Sequence, residues 1–293
     1  MLKKSIPIFI FVGLCSNAQA NEWFKESDSL TQVHKHILDD DLATMFTSLV
    51  EVWQSSESKQ NRNHLNELFA QSLNKDCGKS LSKPSIPDWL SAITVRRHSI
   101  QSPGRDTYRL GINVESKNLV SDIKLTKWVD RTVSTDSEFT IKDSPQGSNK
   151  IYNKRYNLAN SLESGLYRLS IQGEKAQRWS TWIVLGEFSI RQQVRWASKD
   201  SWIIDKKELL NPYCPLPTLD VGLYDYINGQ YEEVWGKTYE SDYPVTLDTN
   251  KFTNDRYVLA VSMNHARWQG DIIIEQTQSI SKTYDISSEE ELK

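Results

Sequence analysis

Histidines, serines spaced from lysines, and crowded aromatic side chains are the residues of this chain whose types could do chemistry. His34-Lys-His36 beside Asp39 to Asp41 is the only run of metal-ligand residue types. On a helix, residues two apart point about 200° away from each other, so these imidazoles cannot share one ion. They read as a solvated helix end, and no metal or cofactor is expected. Ser-x-x-Lys occurs at Ser56 to Lys59, Ser80 to Lys83 and Ser279 to Lys282, but the Ser-Asp-Asn and Lys-Thr-Gly partners of penicillin-binding enzymes are missing. Asp248-Thr-Asn250 is a faint calcium-loop pattern, spoiled by Phe252 and a missing Gly. His64, His98 and His265 are scattered, and there is no Gly-x-Ser-x-Gly elbow, His-Glu-x-x-His, phosphate loop or dinucleotide fingerprint. The chain is therefore expected not to be an enzyme. A hydrolase would need a site assembled from distant residues, marked by a polar, pre-formed cleft with a strongly shifted carboxyl or His.

Aromatic residues are the strongest remaining signal, with 10 Trp and 12 Tyr. The densest stretch runs from Tyr224 to Tyr243. Within it Asn228-Gly229 is the preferred two-residue hairpin turn, which sets the register. Tyr226 faces Tyr231, Tyr224 faces Glu233 and Leu223 faces Val234. Alternation then puts Val221, Leu223 and Val234 on a core face and Tyr224, Tyr226, Tyr231 and Trp235 on the other. Those four aromatics are the candidate binding residues, suited to stacking on sugar rings or anchoring a protein interface. Packing of that strip against the helices or the first sandwich is the competing reading. Trp179, Trp182 and Trp268 read as core.

The elements that must hold this hairpin follow from periodicity. Leu42, Met45, Phe46, Leu49, Val50 and Trp53 form one helical stripe behind an Asp39–Asp41 N-terminus, with a shorter helix before it. A further helix spans 61–74, with Gly78 ending it. From Pro84 the period changes to two. Strands are expected at 93–98, 108–114, 123–128, 138–141, 165–171 and 182–190.

A weak internal repeat links Gly165 to Ile171, Arg178-Trp179 and Ile183-Val184 with Asp255 to Val261, Arg267-Trp268 and Ile272 to Ile274. Asp122 to Leu125 likewise matches Asp220 to Leu223. Its Tyr-x-Leu-x-Ile core resembles a strand entered through a tyrosine corner. The fold class is thus mainly β with α: a short N-terminal helical unit (21–83) followed by two tandem immunoglobulin-like antiparallel β-sandwiches (84–190 and 191–280) and a disordered acidic tail (281–293).

Residues 1–20 read as a secretory signal peptide, with basic Lys3 and Lys4, an apolar run from Ile6 to Leu14, and Ala18-Gln-Ala20 as the cleavage site. Cys15 follows Leu14, where lipoprotein processing wants a small residue. Cut after Ala20, the protein is expected in the periplasm, with no transmembrane segment. The formal net charge of −3 becomes two units more negative when Lys3 and Lys4 are removed. That acidity argues against nucleic acid and anionic membranes. Cys77 and Cys214 then remain, the pattern of one disulfide in an exported chain.

Trp23-Phe24, Leu30-Thr31, His34, Asp41-Leu42, Met45-Phe46 and Val50-Glu-Val-Trp-Gln54 resemble the start of a family of uncharacterised periplasmic proteins from vibrio-like marine bacteria, classed only as a domain of unknown function. The resemblance implies an envelope role, accessory to a sensory or cell-wall maintenance system, and carries no catalytic residues. The function expected is a non-enzymatic adaptor for an envelope protein partner, acting through the Tyr226 hairpin face or an exposed sheet edge. A cell-wall glycan-binding module using the same aromatics is the alternative. Oligomeric state is not legible.

Overall fold

The structure, a computed structural model, describes residues 29–55, 59–81, 86–145, 149–174, 176–187, 192–206 and 208–286. The expected signal peptide and the last seven residues of the expected tail lie outside them. Three helices open the described chain: α1 (Ser29–Leu38), α2 (Leu42–Ser55) and α3 (Lys59–Asp76). The α2 stripe is buried as expected. Asp41 caps it, its Oδ1 accepting the Thr44 N–H at 3.2 Å while its carbonyl accepts the Met45 N–H at 2.9 Å. At the end of α3, Cys77 and Gly78 turn out of the helix at φ 61° and 87°, and the Cys77 N–H returns to the Leu73 carbonyl. The helices share a core with Leu166 and Val184 of the β region. Their apolar stripe thus packs on the β region.

Fourteen strands follow among the described residues: β1 (Leu90–Ser102), β2 (Arg105–Ser116), β3 (Val120–Lys127), β4 (Arg131–Thr132), β5 (Ser137–Asp143), β6 (Lys150–Leu158), β7 (Gly165–Gly173), β8 (Arg178–Leu185), β9 (Gln192–Trp196), β10 (Trp202–Lys206), β11 (Thr218–Ile227), β12 (Gln230–Tyr239), β13 (Asp255–Gln269) and β14 (Ile272–Ile286). A four-stranded sheet runs β4-β3-β7-β8, and β9 and β10 form a ribbon. The remaining strands make one eight-stranded sheet in the order β12-β11-β13-β14-β1-β2-β6-β5. Its strands pair antiparallel except β1 with β14, which are parallel and join the two expected sandwich regions into a continuous sheet.

Two apolar cores lie under that sheet. Ile93, Val95, Leu110 and Ile112 face Ile123, Leu125, Leu169 and Ile183 of the four-stranded sheet. Val221, Leu259, Val261 and Met263 pack with Val194 and Trp202 from the ribbon. The internal repeat maps onto equivalent strand neighbours, β4-β3-β7-β8 and β12-β11-β13-β14. In both, a tyrosine hydroxyl donates to the carbonyl four residues upstream: Tyr167 to Glu163 at 2.5 Å and Tyr257 to Thr253 at 3.2 Å.

Several expectations need correction. Arg178-Trp179 opens β8 whereas Arg267-Trp268 closes β13, so that pair does not correspond. Trp179 and Trp182 pack against the apolar cores as expected, though only half-buried, whereas Trp268 is half-buried under the Lys79 ammonium at 4.5 Å from its ring. The tail does not begin at 281, because β14 continues to Ile286 with Tyr284 and Ile286 buried. β8 ends at Leu185, and residues 188–190 of the expected strand are outside the described residues. Four strands, β4, β6, β9 and β10, had no counterpart in the sequence reading.

Candidate functional site: a polar trough beside the aromatic hairpin

Asn228 and Gly229 take positive φ, 53° and 86°, and form the expected turn. The register runs as expected from Ile227 opposite Gln230 to Tyr224 opposite Glu233. There a β-bulge intervenes: Leu223 pairs with Trp235 instead of Val234. The extra residue reverses the faces beyond it. Val234, expected in the core, is 46% exposed. Trp235, expected on the aromatic face, packs on the second core with its ring edge-on to Phe252 at 5.6 Å. Val221 and Leu223 are buried as expected.

Of the four candidate aromatics, Tyr226 and Tyr231 form an exposed pair, each 63% exposed with ring centroids 5.0 Å apart. Tyr224 lies half-buried over Gly222, where an added Cβ would meet its ring at 2.9 Å. Its hydroxyl donates to Glu233 Oε2 at 3.2 Å, and burial, reinforced by Glu233, pushes the phenol up to about 12. Trp235 is separated from the other three by the bulge.

Tyr224 and Tyr231 border a trough along the outer face of the eight-stranded sheet. It comprises cavities of about 630 Å³ and 510 Å³ that share His98, Tyr224, Ala260 and Ser262 as lining. Strand alternation explains its chemistry. In β13, Leu259, Val261 and Met263 point to the core, leaving Ala260, Ser262 and Asn264 outward; in β14, Thr277, Ser279 and Ser281 share that outer face.

These side chains form hydrogen-bonded rows across the strands. In one row Thr238 Oγ1 and Asn264 Nδ2 donate to the two oxygens of Asp220, at 2.7 and 2.6 Å, and Thr277 Oγ1 donates to Asn264 Oδ1 at 2.7 Å. In the next, Ser262 Oγ lies 2.6 Å from Ser279 Oγ, which lies 2.6 Å from His98 Nε2. Ser102 and Ser281 make a third contact at 2.7 Å. Arg96 and Glu275 pair at 2.6 Å on the lining. The floor is therefore held by its own hydrogen bonds, with small side chains leaving room above it.

Burial, with Arg109 and Arg96 nearby, pushes His98 down to about 4, so its imidazole is neutral at neutral pH. This is the polar cleft with a shifted His that a hydrolase would need. Ser279, however, is only 2% exposed and is bonded on both sides within its row. The contact is one link of the hydrogen-bonded row that builds this part of the sheet surface. The sequence reading missed Ser262 and Asn264, and it set aside His98 as a scattered histidine and Ser279 as part of a Ser-x-x-Lys match. For Ser262 and Asn264 the signal was the small polar set alternating with apolar residues in β13.

The disulfide Cys77–Cys214 is formed, with Cα atoms 5.1 Å apart. It fastens the end of α3 to the loop between β10 and β11, beside a smaller cavity of about 340 Å³ that includes His265 and Pro217. His34 and His36 lie on α1 and do not converge; His34 meets His64 of α3 instead. Asp248 caps a short 3-10 turn, accepting the Asn250 N–H at 3.3 Å, and pairs with Lys251. Among the described residues no group of three or more His, Cys, Asp or Glu is placed to hold a metal ion, and no helix is long and apolar enough to cross a membrane.

The family model described as Protein of unknown function (DUF2861) matches residues 23–285. No curated protein matches the chain.

Proposed function

The chain belongs to the DUF2861 family of unknown function, and from its geometry we propose a non-enzymatic envelope binding protein that holds a hydroxyl-rich glycan strand in the trough. The observation that carries this reading is the pre-fixed floor of hydrogen-bonded Ser, Thr, Asn and Asp side chains with Tyr224 and Tyr231 at its border. Sugar hydroxyls exchange hydrogen bonds with such a floor, and sugar rings stack on tyrosine faces. A floor already ordered costs little entropy on binding. Periplasmic location after cleavage behind Ala20 accords with the disulfide, which persists in oxidising compartments. We read the two β regions as tandem immunoglobulin-like units, the second with one of its sheets reduced to the β9–β10 ribbon.

Preference for a glycan over a protein partner reverses the order in which the sequence placed them, because the trough is polar. The protein-partner reading retains one observation of its own, the exposed Tyr226–Tyr231 pair at the hairpin tip. Co-sedimentation of the mature chain with purified cell-wall sacculi tests both. Binding that is competed by soluble glycan fragments and abolished by Ala260→Arg, which fills the trough, supports the glycan. No sedimentation of the wild type sinks it and directs the search to an adaptor role on a protein partner.

A further inference from the structure

We propose that His34 and His64 form a two-imidazole clamp for a late first-row divalent metal ion of the Zn²⁺, Cu²⁺ or Ni²⁺ class, tying α1 to α3. Their Nε2 atoms lie 3.2 Å apart, with ring centroids at 5.3 Å and planes tilted by 34°. Two nitrogens bound to one tetrahedral ion at about 2.0–2.1 Å each are separated by about 3.3 Å, so a spacing that serves a hydrogen bond in the metal-free protein also accommodates a shared ion. Imidazole suits these metals, and water completes the coordination at a surface site.

Packing explains why the rings converge. Each histidine is next in sequence to a fully buried residue, Val33 in α1 and Leu65 in α3, and both of those belong to the helical core. The two helices are thus held at a fixed separation where the histidines meet. A carboxylate also stands behind His64. Glu67, one turn further along α3, places Oε2 at 3.7 Å from His64 Nδ1. A carboxylate behind a ligating histidine is a recurring outer partner of metal-bound imidazole. His36 points to another side of α1 and lies outside the clamp.

Titration of the mature protein with Zn²⁺, Cu²⁺ or Ni²⁺ alone tests this, read by calorimetry and by the thermal midpoint. One ion per chain is expected, with a saturable rise in midpoint for at least one of the three, since an ion bound only by the folded state stabilises it. His34→Gln and His64→Gln should each abolish the rise, His36→Gln should keep it, and Glu67→Gln should weaken binding about tenfold. Each variant is compared with its own metal-free midpoint, so a destabilised variant still reports the shift. Absence of saturable binding to the wild type would show a hydrogen bond only and overturn the clamp. So would binding that survives loss of both histidines, or that His36→Gln also removes.

Discussion

Gln269 of β13 pairs with Val184 of β8 as a neighbouring strand would: its Oε1 accepts the Val184 N–H at 3.0 Å, and its Nε2 donates to the Trp182 carbonyl at 2.8 Å. β8 is the edge of the four-stranded sheet. Gln278 of β14 does the same for β9, accepting the Val194 N–H at 2.8 Å and donating to the Val194 carbonyl at 3.0 Å. Two buried amides thereby satisfy backbone groups that no strand reaches. Gln269→Leu keeps similar volume but removes both bonds, leaving a buried donor and acceptor. The expected loss is about 2–4 kcal/mol, read as a lower urea midpoint. A loss below about 0.5 kcal/mol would mean that water replaces the amide.

Gly78 governs how the helical unit docks. Its φ is +87°, and an added Cβ would lie 2.1 Å from the Trp268 carbonyl oxygen. The backbone cannot back away freely, because the Cys77 and Gly78 carbonyls accept the Trp268 and Gly270 N–H groups at 3.0 and 2.9 Å. Gly78→Ala should therefore lose more than about 2 kcal/mol, combining left-handed strain with a broken contact. Gly104→Ala is the control. It has φ +76° but nothing within 4 Å, so it should cost only the strain, about 1–2 kcal/mol. Equal losses in the two variants would show that the Trp268 contact contributes nothing.

What the sequence disclosed and what it hid divide by the range of the interactions. The α2 stripe was legible because helical burial depends on local spacing, and the Asn228-Gly229 turn fixed pairing as far as Tyr224 opposite Glu233. The bulge that turned Trp235 inward was not legible. It lies where Leu223 also pairs with Leu259 of β13, so three strands share the choice. The trough was equally hidden, since its His98–Ser279 contact requires parallel pairing between residues 181 apart in sequence. Cysteine counting found the disulfide because only one pairing was available after Ala20.

That disulfide closes a 137-residue separation between the helical unit and the second β region. Constraint of so long a loop in the unfolded chain stabilises by up to about 5 kcal/mol. Reduction, or a Cys77→Ser and Cys214→Ser double variant, should lower the urea midpoint accordingly. The Tyr226–Tyr231 pair is held by the β11–β12 pairing on its own hairpin turn, so it should retain native-like quenching by iodide in the reduced, folded protein. An unchanged midpoint on reduction would show that the α3 junction is already held by the Gly78 contacts alone.

His98 makes stability depend on acid. Its ordinary pKa is about 6.5 and burial lowers it to about 4, so between these values the unfolded chain binds a proton that the folded chain refuses. The resulting stability is fully present above about pH 6.5 and is lost as pH falls through 6.5 toward 4, at most about 3 kcal/mol. His265 is lowered too, by burial, and the carboxylates also titrate as pH falls, so the wild-type profile alone would mix several groups. His98→Gln isolates the effect, because an amide can still bond Ser279 but takes up no proton. The difference in urea midpoint between the two proteins should narrow, then change sign or flatten, as pH falls from 7 to 4. Parallel profiles would show that His98 titrates normally and that the Ser262–Ser279–His98 row opens to water.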